Sequence, residues 1–228
     1  MFGLGLTVKK GIFITGTDTG VGKTYVAAGI AEQLRQDGVD VGVMKPAETG
    51  CAARAGKLVP RDAKRLIKAA GVTDSLELVN PVRMRKPLAL LVAAAMEGLR
   101  IDPRDIQNAF QTLASRHEYM IVEGAGGIMV PIAPGYSFLD LAQEMGLPVL
   151  IVARPSLGTI NHTLLTVKAL KDRGLAIAGI VINYADDRRP GLAEKTSPAV
   201  IEEISGVKVL GTMRHASRSF SSIVAFLS

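Results

Sequence analysis

The stretch Gly11–Thr24, GIFITGTDTGVGKT, joins a short β-branched and aromatic run to a glycine-rich turn that ends in Gly-Lys-Thr. The run Ile12–Thr15 is typical of a buried strand. Val26, Ile30 and Leu34 then recur at a spacing of four residues, which predicts a helix directly after the turn. A strand, a glycine-rich turn, Gly-Lys-Thr and a helix, in this order, predict a phosphate-binding loop.

The residue types of this turn suit the binding of a polyphosphate. Glycines let the main chain approach a phosphate closely, and the free N–H groups at a helix start point at it. Lys23 would reach the β- and γ-phosphates of ATP, and the Thr24 hydroxyl would bind Mg2+. The common pattern has glycine where this chain has Thr17, so a turn without a ligand is the alternative. The expected nucleotide-binding positions are 18–25, which comprise Asp18, Thr19, Gly20, Val21, Gly22, Lys23, Thr24 and the next residue.

Composition limits the class of protein. The chain has 228 residues, of which 48% are apolar, and no repeat or linker divides it, so we expect a single α/β domain over residues 1–228. Cys51 is the only cysteine, which excludes an internal disulfide and suits a reducing, cytoplasmic location. The segment Met1–Lys10 carries no secretory signal, and the apolar-rich stretch Leu88–Met96 is too short to cross a bilayer.

The net charge of +6 would permit a nucleic-acid partner. The basic residues are spread out, however, and no aromatic residues lie between them to stack on bases. We therefore expect small anionic substrates, and neither nucleic acid nor membrane, as partners.

Apolar runs alternate with helical patterns along the rest of the chain. The predicted strands after the first helix are 41–45, 119–123, 147–153, 176–183 and 207–210; the predicted helices are 60–70, 87–98, 103–115, 137–145, 157–173 and 198–204, with a loop at 50–59. Continuous apolar strands that alternate with helices predict an α/β fold, a doubly wound and mostly parallel sheet with helices on both faces, like that of P-loop NTPases.

Polar residues stand where several of these strands end, which is where such sheets bind ligands. Lys45 closes the second predicted strand, Glu123 closes the run Met120–Val122, and Asn183 closes Ile180–Ile182. Glu123 has the position of an acidic residue that holds Mg2+ near a phosphate loop, although a solvated carboxylate is the alternative.

Asp62 lies in the first turn of a predicted helix, where the helix dipole alone would favour it, so structural and metal-binding interpretations both remain open. Lys45 precedes Pro46, which favours an extended backbone and projects the side chain from the strand end, although an ordinary strand-terminal lysine is the alternative. His117, His162 and His215 share no metal-ligand spacing, and we assign them no chemistry.

Four segments together closely resemble the dethiobiotin synthetases: Gly16–Thr24, Met44–Gly50, Val122–Gly127 and Leu157–His162. The resemblance runs in order from about Ile12 to Asn183. It implies an ATP-dependent ring-closing ligase of biotin biosynthesis that converts 7,8-diaminononanoate, CO2 and ATP into dethiobiotin, ADP and phosphate. It also implies a carbamate and a carbamic-phosphoric anhydride as intermediates, Mg2+ as cofactor and a homodimer.

The resemblance assigns a role to individual residues. Lys45 and Lys23 would be catalytic, Lys45 at the carbamate and Lys23 at both phosphate and carbamate. Thr24, Asp62 and Glu123 would hold Mg2+, Thr19 and Thr49 would lie beside the diamine, Gly158, Thr159 and Asn161 would close over its carboxylate tail across the dimer interface, and Asn183 would contact adenine. Leu90 and Leu91 replace a proline and a histidine of the family, and Arg214 replaces a proline, so the base pocket and the choice of nucleotide stay open.

Three other classes fit parts of the pattern. A cobyrinate-type amide synthetase would need a glutaminase, for which a single cysteine leaves no obvious room. A partner-binding ATPase switch would carry lysine at the position of Asp18, and many carry a basic amphipathic helix where Ser217–Ser228 has one arginine. A degenerate homologue would bind nucleotide without turnover.

Overall fold

The computed structural model describes residues 10–184, 186–187, 189–214 and 219–227. His215, most of the segment Met1–Lys10 and the start of the tail 217–228 lie outside these residues. The strands are β1 (Lys10–Gly16), β2 (Val41–Met44), β3 (Ala47–Glu48), β4 (Ala52–Arg54), β5 (Lys57–Val59), β6 (Val82–Arg83), β7 (Tyr119–Gly127), β8 (Pro131–Ala133), β9 (Tyr136–Ser137), β10 (Val149–Ala153), β11 (Ile177–Asn183) and β12 (Val209–Met213).

The helices connect these strands and lie on both faces of the central sheet. Their bounds are α1 (Lys23–Gln36), α2 (Arg61–Ala70), α3 (Leu76–Val79), α4 (Leu90–Glu97), α5 (Pro103–Arg116), α6 (Phe138–Met145), α7 (Thr159–Asp172), α8 (Leu192–Ser205) and α9 (Ser221–Leu227). Helix α1 packs against β1, β2 and β7, with α2 and α9 beside it, while α5 and α6 pack against β7 and α7 packs against β10 with α8 beside it.

Within the described residues, six strands form one parallel sheet in the order β12-β11-β10-β1-β7-β2. Strands β2 and β10 are buried along their whole length, which explains why they are continuous apolar runs without alternation. This arrangement confirms the predicted doubly wound P-loop NTPase-like fold.

The sheet register brings the functional segments to one edge. Gly16, the last residue of β1, pairs with Val152 on one side and with Gly127 on the other. Because the strands are parallel, the turn after β1 lies beside the carboxyl ends of β7 and β10. This edge of the sheet is where the site is built.

Several predicted bounds are wrong. The predicted loop 50–59 contains an antiparallel hairpin of β4 and β5, whose first strand is entirely exposed, so it shows no apolar alternation. The helix expected from Pro87 begins at Leu90. The helix expected from Pro198 begins six residues earlier, at Leu192, and carries that proline in its interior, so the proline was a misleading start signal.

Smaller elements were not predicted at all. These are the short helices α3 and α9, the two-residue pair β3 and β6, and the hairpin of β8 and β9. Strand β7, which carries Glu123, continues to Gly127, so Glu123 lies inside the strand and not at its end. In the part of the chain with assigned positions, every helix is too short or too polar to cross a membrane.

Candidate functional site

The phosphate loop turns between Gly16 of β1 and Lys23 of α1. Gly22, the residue before the helix, has a left-handed backbone with φ 93°. A side chain there would also collide with Asn183, because an added Cβ would lie 2.1 Å from Asn183 Nδ2. Both the backbone conformation and the contact with Asn183 therefore require glycine at position 22. No described side chain caps α1, so its first N–H groups are open to an anion.

Lys23 folds back over this loop. Its side chain is buried, and Nζ donates a hydrogen bond to the Asp18 carbonyl at 3.1 Å. Gly16 makes room for it, since an added Cβ would lie 2.9 Å from Nζ. Burial, and then the neighbouring ammonium of Lys45, lower the pKa of Lys23 to about 8. An anionic ligand in the loop would therefore stabilise the charged form of Lys23.

Lys45 is the centre of a buried ionic cluster. Its Nζ donates to Glu123 Oε1 at 2.5 Å and lies 3.0 Å from Asp62 Oδ2. Thr24 Oγ1 donates to the same Glu123 oxygen at 2.7 Å. Four residues that the sequence placed in the site therefore meet within hydrogen-bonding distance, although they come from α1, the end of β2, α2 and β7.

The charges of the cluster balance one another before any ligand binds. Burial opposes the charge on Lys45, but the carboxylates of Glu123 and Asp62 outweigh it and raise the pKa of Lys45. Glu123 is 0% exposed, and its Oε2 has no partner among the described residues. An orphaned carboxylate oxygen next to two lysines indicates a missing cation or donor.

The donor set fits Mg2+. Thr24, Glu123 and Asp62 offer hydroxyl and carboxylate oxygens, which are the ligands that Mg2+ prefers. Across residues 10–184, 186–187, 189–214 and 219–227, no group of three or more His, Cys, Asp or Glu could hold a metal alone. This agrees with the usual Mg2+ site of nucleotide enzymes, where one or two carboxylates share the ion with phosphates.

A cleft of about 760 Å³ opens beside the cluster. Its charged and polar lining comes from the phosphate loop, the ionic cluster, Thr19, Thr49 and Glu48, and its apolar lining includes Pro87, Leu88, Leu90 and Val130. A cleft with both charged and apolar lining suits a substrate that has polar groups on an aliphatic chain. Leu90, which departs from the family pattern, is among the buried residues of this lining.

Asn183 lies against the phosphate loop. Its Nδ2 donates to the Val21 carbonyl at 2.8 Å, while its Oδ1 is buried and has no partner within the described chain. Arg214 is exposed after β12. Position 25, also expected at the nucleotide, is Tyr25, whose ring packs against Phe220 with centroids 5.6 Å apart and does not line the cleft.

The segment before α7 does not line the cleft either. Gly158 has φ 92° and starts the helix, the Thr159 side chain is buried, and Asn161 is exposed. Asp18 of the phosphate loop reaches toward this segment, because its Oδ2 lies 3.3 Å from Arg154 Nη1.

Two supporting residues were missed by sequence reasoning. The buried Asn80 donates from Nδ2 to the Lys45 carbonyl at 2.6 Å. Glu48 accepts from the backbone N–H groups of Asp62 and Ala63, both at 3.1 Å, and burial raises the pKa of its carboxyl group. The only sequence signal for Glu48 was its position three residues after Lys45.

Cys51 is buried, which raises its pKa to about 11 and makes it a poor nucleophile.

Solved structures with the same architecture are nucleotide-binding ATPases. The chain aligns over 91% of its length with a ParA family ATPase from Chlorobium tepidum, at 18% identity and a TM-score of 0.54, covering 84% of that chain. It aligns over 95% of its length with the septum site-determining protein MinD from Pyrococcus horikoshii, a complex with Mg-ADP, at 17% identity and a TM-score of 0.58, covering 86% of that chain. Identities this low support the fold alone.

Sequence relatives are more specific. A family model described as an AAA domain matches residues 10–218. The proteins named ATP-dependent dethiobiotin synthetase BioD are 44% identical in Thermodesulfovibrio yellowstonii, over 90% of this chain and 89% of the relative, and 46% identical in Bacillus licheniformis, over 89% and 84%. The one from Methanocaldococcus jannaschii is 40% identical over 89% of this chain and 93% of its own length. The resemblance is confirmed, and the chain belongs to the family of ATP-dependent dethiobiotin synthetases.

Proposed function

We propose that this protein is an ATP-dependent ligase that forms dethiobiotin from 7,8-diaminononanoate and CO2. The observation that carries the proposal is the contact of Lys45 with both Glu123 and Asp62, beside Thr24 and Lys23. A nucleotide switch of the class considered above would carry its second lysine at the position of Asp18, whereas the second lysine here is Lys45, which is buried and lines the cleft.

The ring closes in three steps. One substrate amine adds to CO2 and loses a proton, which gives a carbamate. A carbamate oxygen then attacks the γ-phosphate, so the bond to ADP breaks and a carbamic-phosphoric anhydride forms. The second amine attacks the carbonyl carbon of the anhydride and loses a proton to solvent, and phosphate leaves with the C–O bond electrons as the cyclic urea forms. Proximity of this amine to the anhydride can lower the barrier by about 7–11 kcal/mol, because both groups belong to one oriented molecule.

Lys45 would bind the carbamate. An ammonium group has three donors, and two of those of Lys45 face Glu123 and Asp62. The third approaches the Gly124 carbonyl only at 3.4 Å, which is a long contact for an amine. This donor is available to an anionic oxygen, and a charge-assisted hydrogen bond of this kind contributes about 1.5–3 kcal/mol. Thr19 and Thr49, which line the same cleft, would orient the diamine.

Thr24, Glu123 and Asp62 would hold Mg2+ against the phosphates. The ion would supply neutralisation of the charge on the transferring phosphoryl group. Lys23 would contact the phosphates and the carbamate from the loop, and Asn183 would accept a hydrogen bond from the amino group of adenine through Oδ1. A reaction that depends on positioning and charge neutralisation does not require an acid–base triad.

The test is an ADP-release assay with bicarbonate and the diamine added separately and together. We expect ADP and dethiobiotin in equal amounts, and only when both substrates are present. ATP hydrolysis that the diamine does not change would favour the nucleotide switch. Nucleotide binding without product under any condition would favour a degenerate homologue.

We also propose a homodimer. Leu157, Asn161 and Leu165 recur at a spacing of four and are all exposed, the two leucines by 86% and 59%. Asn161 and Leu165 lie on one side of α7, and Leu157 comes just before its N-cap residue Gly158. A second copy that covered this stripe would bury both leucines, and it would bring Gly158 and Asn161 toward the carboxylate tail of a neighbouring diamine.

The dimer is tested with Leu165→Lys. Leu192 is 80% exposed, so Leu192→Lys is a control of the same chemistry on α8. We expect light scattering to report a monomer for the first variant and a dimer for the second, and the KM for the diamine to rise in the first alone. A monomeric wild type would overturn this proposal.

A further inference from the structure

Helix α2 begins at Arg61, and the N-cap residue before it, Pro60, provides no capping side chain. Its first free N–H groups, those of Asp62 and Ala63, donate instead to the two carboxylate oxygens of Glu48, one to each, at 3.1 Å. The cap is therefore supplied by another element, β3, because Glu48 precedes Asp62 by fourteen residues. Both oxygens of the nearly buried Glu48 are occupied in this way.

The same turn of α2 carries the carboxylate that faces Lys45. Asp62 Oδ2 lies 3.0 Å from Lys45 Nζ, while the N–H of the same residue is bound by Glu48. Lys45 and Glu48 are three residues apart, between the end of β2 and the end of β3, and Asn80 binds this segment through the Lys45 carbonyl. Asp62 is thus held at two points, its side chain by Lys45 and its backbone by Glu48.

We infer that Glu48 is a positioning residue, which sets the place of Asp62 and through it the Mg2+ affinity of the site. The inference rests on the proposed role of Asp62 as a metal ligand. Asp62 is partly exposed and stands at the end of a helix, so without the Glu48 carboxylate its first turn would lose two charge-assisted hydrogen bonds. Groups that orient a metal ligand in this way typically change metal affinity or activity by about 10- to 100-fold when they are removed.

The variant Glu48→Gln tests this directly. Its amide has one acceptor oxygen where the carboxylate has two, so one N–H of α2 loses its partner. We expect the Kd for Mn2+, measured by electron paramagnetic resonance at saturating ADP, to rise by about 10- to 100-fold. Glu48→Asp keeps the charge on a shorter chain and should have an intermediate Kd.

Asp102→Asn is the matched control. Asp102 caps helix α5, since Oδ1 accepts from the Arg104 N–H at 2.9 Å, and it does not line the cleft. The change from acid to amide is the same, and it also weakens a helix start. We expect it to leave the Mn2+ Kd within about twofold of wild type.

A double-mutant cycle separates positioning from general damage. In an Asp62→Asn background, Glu48→Gln should change the Mn2+ Kd by no more than about twofold, because its route to the metal is already broken. Equal effects in both backgrounds, or an unchanged Kd in Glu48→Gln, would overturn the inference. If Glu48→Gln fails to fold, the cycle runs with Glu48→Asp under the same criteria. Failure of the proposed function is a separate result, since it would show as absent product in the wild type.

Discussion

Two ionic clusters of the same composition lie at opposite ends of the neighbouring strands β2 and β7. At the carboxyl edge, Lys45 stands between Glu123 and Asp62. Just before the amino ends of the same strands, His117 stands between Asp40 and Asp74, with Nδ1 and Nε2 each 2.8 Å from a carboxylate oxygen. Each cluster thus has one basic side chain that lies between two acids.

The clusters differ in how completely their atoms are paired. Asp74 uses both oxygens, one with His117 and the other with Arg116 at 3.0 Å. At the other edge, Glu123 Oε2 is unpaired among the described residues, and Lys23 adds a second cation. A fully paired cluster is what a structural role requires, whereas an unpaired carboxylate oxygen leaves a position for a ligand. Pairing, and not charge alone, distinguishes the cluster of the candidate site.

The largest expected effect is that of Lys45→Ala. Dethiobiotin formation should fall by at least about 10²- to 10³-fold, which is the usual cost of removing a donor aimed at developing negative charge. ADP should still bind, because the phosphate loop and its lysine remain. Product formation and equilibrium ADP binding are the two measurements. A variant that retains product formation would remove Lys45 from the reaction.

His117→Ala should act on stability alone. It leaves an oxygen of the nearly buried Asp74 without a donor, so the free energy of unfolding should fall by about 1–3 kcal/mol in urea titrations. Product formation per folded molecule should equal that of wild type. A loss of turnover without a loss of stability would show that the His117 cluster contributes to the reaction and is not purely structural.

The stability difference between wild type and His117→Ala should depend on pH. Burial disfavours the charged imidazole, but the two carboxylates outweigh it and raise its pKa above the ordinary 6.5. The stabilisation is therefore fully present below about pH 6.5 and is lost as the pH rises through the higher pKa of the folded state. Urea titrations at pH 6 and pH 9 should show the two proteins converging at the higher pH.

The affinity of the phosphate loop for ADP should depend on pH. The pKa of Lys23 is about 8, so its charge is lost above that value in the free protein. The Kd for ADP should then rise by up to about tenfold per pH unit, the limit for one linked proton. Binding measured by calorimetry from pH 7.5 to 9.5 would show this. A constant Kd over that range would mean that Lys23 stays charged or does not contact phosphate.

The smallest expected effect belongs to an ordinary exposed pair. Lys168 lies 2.9 Å from Asp172 one turn later on α7, and both side chains are more than half exposed. Lys168→Ala should change the free energy of unfolding by no more than about 0.5 kcal/mol in urea titrations.

The sequence predicts the fold and the centre of the site because both depend on local patterns. The strand Ile12–Thr15, the Gly-Lys-Thr turn and the spacing of Val26 and Ile30 define β1 and α1 without any distant information. Lys45 and Glu123 were found because they interrupt or follow apolar strands, and parallel strands bring their ends together.

The rest depends on contacts that no local pattern encodes. Glu48 caps a helix that begins thirteen residues later, so the usual search for a cap just before a helix finds only Pro60. Helix α8 begins at Leu192 although Pro198 has the typical appearance of a helix start. The pairing of Asp74 with His117 likewise joins the segment before α3 to the C-cap of α5, 43 residues later.

The hydrogen bonds that close the nucleotide site join distant parts of the chain. Thr24 and Glu123 are 99 residues apart, and Asn183 and Val21 are 162 apart. These contacts exist only once nearly the whole sheet has assembled, so a partly folded chain has no competent site. A bound nucleotide should therefore act on the folding equilibrium of all six strands at once, by about 2.7 kcal/mol at one hundred times its Kd. Protection of the sheet as a whole from proteolysis, and not of the loop alone, is the expected sign of ligand binding.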